Sequence, residues 1–158
     1  MMEQDELIRK NLLVSLQGRN AHLSFEEAVK NFPEGQINKK ISGATYSCWE
    51  LVEHIRIAQW DILEFTRNPD YTSPPWPKGY WPKEKGDLVQ WERTVNHFLM
   101  DRKALEDLVQ DSTIDLYSPI PHAPDYTIFR EIVLVIDHNS YHLGQLVIMR
   151  KALGIWPA

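Results

Sequence analysis

The sequence predicts an all-α protein, an antiparallel four-helix bundle with one short extra helix. Two observations carry that expectation. Four stretches repeat apolar residues at helical spacing between recognisable caps, and no segment sustains the period-two alternation of a strand. A third observation is length: 158 residues suffice for one domain, 1–158, with a sizeable core.

The first long helix covers residues 3–17, with Leu7, Ile8, Leu12, Leu13 and Leu16 on its stripe and Gly18 as a stop. "SFEEAVKNFP" follows, in which Ser24 and Glu27 form a capping-box pair and Pro33 closes a short helix. The second long helix opens on another such pair, Ser47 and Glu50, and runs to about Asn68. Its apolar residues include Leu51, Val52, Ile55, Ala58, Ile62 and Leu63. The third starts near Asp87 and runs to about Gln110, along Leu88, Trp91, Val95, Phe98, Leu99, Leu105 and Leu108. The fourth spans about Thr127 to Leu153, with Gly154 as its C-terminal cap.

Between the second and third long helices lies "NPDYTSPPWPKGYWPKEKG", residues 68–86, rich in proline and carrying Tyr71, Trp76, Tyr80 and Trp81. Proline lowers the entropy lost on ordering such a segment, and the aromatics give it surface to bury. An ordered flap against the bundle is expected.

Composition excludes several classes. Apolar residues make up 43% and charged residues 25%, with a net charge of −5, and the Lys and Arg are scattered among acids. That argues against a nucleic-acid partner. The longest apolar run, "IVLVI" at 132–136, is too short for a bilayer, so no membrane partner is expected. The N-terminus lacks a signal-peptide layout, and Cys48 is the one cysteine. Both point to a reducing cytoplasm.

The chemistry concentrates in "DHNSYHLGQ", residues 137–145. His138 and His142 stand four apart, hence one above the other on one helix face. Val135, Leu146 and Met149 lie on or beside that stripe, which directs it inward. His54 occupies the middle of the second long helix beside Leu51, Ile55 and Ala58. Three neutral imidazoles and a water form a standard open site for zinc or a related divalent ion. The alternative is a set of buried neutral histidines satisfied by hydrogen bonds.

The remaining polar candidates are weaker. His97 falls on the polar side of its helix, His122 in a proline-rich loop, and His22 before the short helix. Glu50 and Asp61 share roughly the face of His54 and could orient an imidazole or act as a base, though Glu50 has its cap to serve. Gln145 could line the same cavity. Asp137 points about 100° away from His138 around the helix. Cys48 sits near a helix N-terminus but has no base beside it, and a small buried residue is the simpler role.

"AHLSFEEAVKNFP", "SCWELVEHIRIAQWDILEF", "NPDYTSPPWPKGYWP" and "DHNSYHLGQLVIMRKALGIWP" together resemble the DinB-like proteins (the DinB/YfiT superfamily). The resemblance covers nearly the whole chain in order. It implies a four-helix bundle, usually a homodimer, with one divalent ion per chain held by His54, His138 and His142. Zinc or nickel leads as the ion, with manganese or iron behind. Some relatives use low-molecular-weight thiols through a metal-bound thiolate. The expected function is therefore a metal-dependent transferase of thiol type acting on a small electrophile. The alternatives are a hydrolase using a metal-bound water, or a non-catalytic dimer with a structural metal.

Overall fold

Capping chemistry sets where the helices begin. The computed structural model describes residues 2–156, with helices α1 (Met2–Leu16), α2 (Phe25–Val29), α3 (Cys48–Arg67), α4 (Leu88–Gln110) and α5 (Ile128–Ala152). Ser24 and Ser47 close capping boxes with Glu27 and Glu50, and Asp87 does the same with Gln90. Thr127 accepts from the Arg130 N–H to start α5. Each device satisfies backbone donors that have no partner within their helix. Gly18 and Gly154 stop α1 and α5 with φ of 65° and 68°, a conformation that costs glycine little. The short helix ends earlier than expected, at Val29 rather than near Pro33, because Lys30 already has an extended ψ of 133°.

The all-α bundle holds, with two departures. Strands β1 (Pro119–Ile120) and β2 (Ala123–Thr127) form a small antiparallel hairpin ahead of α5. A two-residue strand that contains proline is too short to show alternation, so no strand was expected there.

The second departure is direction. Thr94 donates to Glu53 (2.6 Å), and Gln59 donates to the Phe98 carbonyl (2.8 Å). Positions on α3 and α4 thus rise together, and these two helices run parallel instead of antiparallel. The flap explains it. Tyr71 bonds back to Asp61, and the Trp49 indole donates to the Glu84 carbonyl (2.9 Å). The chain therefore returns along the length of α3 before α4 starts. Between α3 and α5 the direction is opposed, since Gln59 meets Asn139 while His54 meets His142.

Two apolar clusters fill the interior. One gathers Phe25, Trp49, Leu51, Ile55, Phe98 and Leu146 around α2, α3 and the second half of α5. The other gathers Leu12, Leu63, Leu105, Val109 and Ile132 around α1, α4 and the first half of α5. Leu7 and Leu88 lie outside both clusters and are exposed, although each falls on a predicted stripe. No helix among the described residues is long and apolar enough to cross a membrane.

Candidate metal centre

The three histidines singled out in sequence meet in space. Nε2 of His54 lies 3.2 Å from Nε2 of His142 and 3.1 Å from Nε2 of His138. Potential ligand atoms of all three lie within 4.8 Å of one another, and the group has three members. His54 is 3% exposed, whereas His138 and His142 are half-buried at the edge of the α3–α5 seam.

Proton accounting shows why this is more than packing. Nδ1 of His54 lies 2.8 Å from the Tyr80 carbonyl, which can only accept, so that nitrogen carries the proton. Nδ1 of His142 faces Oε1 of Gln145 at 2.7 Å and is protonated for the same reason. Neutral imidazole has one proton, so both Nε2 atoms are bare. Two lone pairs then face each other at 3.2 Å. His138 adds a third ring, and its buried Nδ1 has no hydrogen-bond partner.

A proton does not resolve the conflict. Burial lowers the pKa of His54 and of His142, opposed by the Tyr80 carbonyl and by Gln145 respectively. Burial, with repulsion from His142 and His54, pushes His138 down to about 4. The rings stay neutral at pH 7. A divalent cation does resolve it: an ion holding nitrogens at about 2.0–2.1 Å spaces adjacent ligand atoms by roughly 3 Å. The donor set fits such an ion.

The flap supplies the surroundings. Trp81 stacks on His54 with centroids 4.0 Å apart and planes 2° from parallel, and Tyr46 stacks on Trp81 at 5.1 Å. Tyr141 meets His142 edge-on at 4.9 Å. Sequence reading expected all four flap aromatics to be buried. Tyr71, Tyr80 and Trp81 are half-buried, but Trp76 is 76% exposed. Trp76 meets Tyr80 edge to face, with ring centroids 5.4 Å apart.

The carboxylates have other tasks. Glu50 accepts from the Ser47 N–H at 2.7 Å and pairs with Lys40 at 3.3 Å. Asp61 accepts from the Tyr80 hydroxyl (2.7 Å) and the Tyr71 hydroxyl (3.0 Å). It fastens the flap and reaches the site only through Tyr80, whose carbonyl holds His54. Burial, then the bond to Asp61, raise the Tyr80 phenol to about 12. Sequence reasoning missed Tyr80, because a backbone carbonyl leaves no signature in side-chain identity.

The other histidines lie elsewhere. His97 is exposed on α4. His122 lies by the Phe65 carbonyl at 2.8 Å. His22 spans the Leu23 carbonyl and the Ser140 hydroxyl. Cys48 is fully buried, and burial raises its thiol to about 11, so it is no nucleophile.

A sequence model of the DinB superfamily matches residues 19–146, which include all three histidines. No curated protein and no solved structure matches the chain.

Proposed function

Since the chain belongs to the DinB superfamily, we propose that it binds one divalent ion through His54, His138 and His142 and transfers a thiol to a small electrophile. Zinc or nickel suits three imidazole nitrogens, with iron or manganese as lesser candidates. The observation that carries the reading is the pair of bare Nε2 atoms held 3.2 Å apart. Three protein ligands leave a position for an exogenous one, the arrangement typical of catalytic rather than structural sites.

Each residue has a task in this scheme. Tyr80 and Gln145 fix the tautomer and the aim of His54 and His142, as outer partners of metal-binding histidines do. Burial keeps the rings free of protons. Trp81 covers one face of His54 and excludes water from it. When bound, the ion supplies the positive charge that lets a thiol ionise near neutral pH. The thiol proton passes to solvent, the sulfur bonds to the electrophilic atom, and that atom's bond to its leaving group breaks. Cys48 is too buried to be the thiol, so the sulfur comes from a small molecule.

Hydrolysis would ask for a general base beside the nucleophilic water. Asp61 is held by two tyrosines and Glu50 by its cap, which supports ranking hydrolysis below thiol transfer.

Cobalt loading tests the proposal. Adding a small thiol should produce a sulfur-to-metal charge-transfer band together with proton release. Loss of both signals while cobalt stays bound would overturn thiol transfer. A sphere that exchanges no ligand at all would leave a structural metal.

A further inference from the structure

His138 is the one ring of the cluster whose tautomer its direct contacts leave open. A proton on Nε2 could be donated to the bare Nε2 of His54, 3.1 Å away, and would leave that nitrogen of His138 no lone pair to offer. A proton on Nδ1 keeps Nε2 bare, as it is in His54 and His142. The buried Nδ1, however, stands without a hydrogen-bond partner among the described residues. The two states differ in whether a third nitrogen can join the other two.

A chain of amides beside His138 bears on that choice. It begins at the Phe98 carbonyl on α4, which can only accept. The Gln59 side chain on α3 is fully buried and turns its NH2 to that carbonyl at 2.8 Å. Its oxygen thereby faces the other way and accepts from the Asn139 NH2 at 2.9 Å. The Asn139 oxygen ends the chain, a buried acceptor with no partner among the described residues. The next residue back along α5 is His138, with its own unanswered nitrogen. Burial and repulsion from His142 and His54 lower the pKa of His138, and the Asn139 side chain opposes them. An amide acts in that sense through its oxygen, the end the chain leaves over.

We infer that the Gln59–Asn139 relay places the proton of His138 on Nδ1 and so keeps its Nε2 ready for a metal ion. Asn139 Oδ1 accepts from Nδ1, and each amide faces one way because the Phe98 carbonyl orients the first. Asn139 and Gln59 are positioning residues that act through His138. All three histidines then have an outer acceptor: the Tyr80 carbonyl for His54, Gln145 for His142 and Asn139 for His138. Helix α4 supplies no histidine to the cluster, yet it takes part through Phe98. The consequence for metal affinity rests on the metal binding proposed above, whereas the tautomer does not.

Nitrogen NMR of the metal-free chain at mildly alkaline pH reads the tautomer of each ring. In wild type, His138 should carry its proton on Nδ1. Asn139→Leu should move it to Nε2, and Gln59→Leu, which frees Asn139 to turn, should give both forms. Asn139→Asp accepts from either side and should retain the wild-type tautomer. In a competition titration, zinc affinity should fall by about 10- to 100-fold in Asn139→Leu and by less in Asn139→Asp. A merely structural role would weaken the metal without moving the proton. A wild-type His138 protonated on Nε2 overturns the inference, as does an Nδ1 proton that persists in both leucine variants. The expected tautomers in a chain that binds no zinc would sink the proposed metal binding and not the relay.

Discussion

Arg150 and two of the three clustered histidines are polar groups that the same helix, α5, sets into an apolar bundle, and they end in different states. Arg150 is fully buried, yet it donates to the Ala28 (2.7 Å), Lys30 (3.1 Å) and Ile155 (3.1 Å) carbonyls and lies over the Phe32 ring. It ties the end of α2 to the C-terminal segment, and both its terminal nitrogens are used within the chain, while its Nε has no partner among the described residues. His138 and His142, two to three turns earlier on α5, and His54 on α3 turn their Nε2 atoms toward one another. A buried polar group answered by its own chain holds the fold together. Several nitrogens left unanswered and gathered at one point are where a ligand from outside can bind.

The comparison breaks first at the ligands. His54→Ala or His138→Ala should take metal content from about one ion per chain to near zero, as read by elemental analysis. Retention in both variants would make the cluster a structural one, like Arg150. Next comes Arg150→Ala, which leaves three carbonyls without this donor and opens a cavity. It should cost about 3 kcal/mol in chemical denaturation and leave metal stoichiometry unchanged. Loss of metal from a folded Arg150→Ala protein would show that the two regions are not separate.

A smaller effect belongs to Gln145→Leu, which removes the acceptor that aims His142. Metal affinity should fall by about 10- to 100-fold with saturable binding intact. An unchanged affinity in a competition titration would show that Gln145 aims nothing. The metal-free protein carries a gentler signature in pH. His138 is lowered to about 4 from an ordinary value of 6.5. Between these values the unfolded chain binds more protons than the folded one, so stability rises with pH across that window. It should be fully present above 6.5 and lost as pH falls toward 4, and metal loading should flatten the trend. Denaturant midpoints at several pH values check both statements. Smallest of all, His97→Ala should change neither metal content nor stability.

The clustering of the three histidines was legible because helical spacing converts sequence directly into a shared face: 138 and 142 at one turn, and 54 amid the inward residues of its own helix. The caps at Ser24, Ser47 and Asp87 fixed helix starts for the same local reason. What escaped depends on distant or backbone groups. Asp61 could be placed near the face of His54, but its tyrosine partners lie 10 and 19 residues away on the flap. Trp76 and Trp81 look alike in sequence, yet one is exposed and the other lies flat on His54. The parallel course of α3 and α4 depends on where the flap travels, and proline content reveals stiffness without direction.

The coplanar contact of Trp81 with His54 has an optical consequence. An excited indole readily gives an electron to an adjoining imidazolium, and a coordinated open-shell ion quenches it more strongly. A neutral imidazole does neither. The emission of Trp81 should therefore dim when nickel or cobalt enters the site and recover on chelation, without any label. In a Trp81→Phe protein that part of the quenching should vanish while the ion still binds. The flap thus carries its own gauge of the centre it covers, and metal occupancy can be followed in real time.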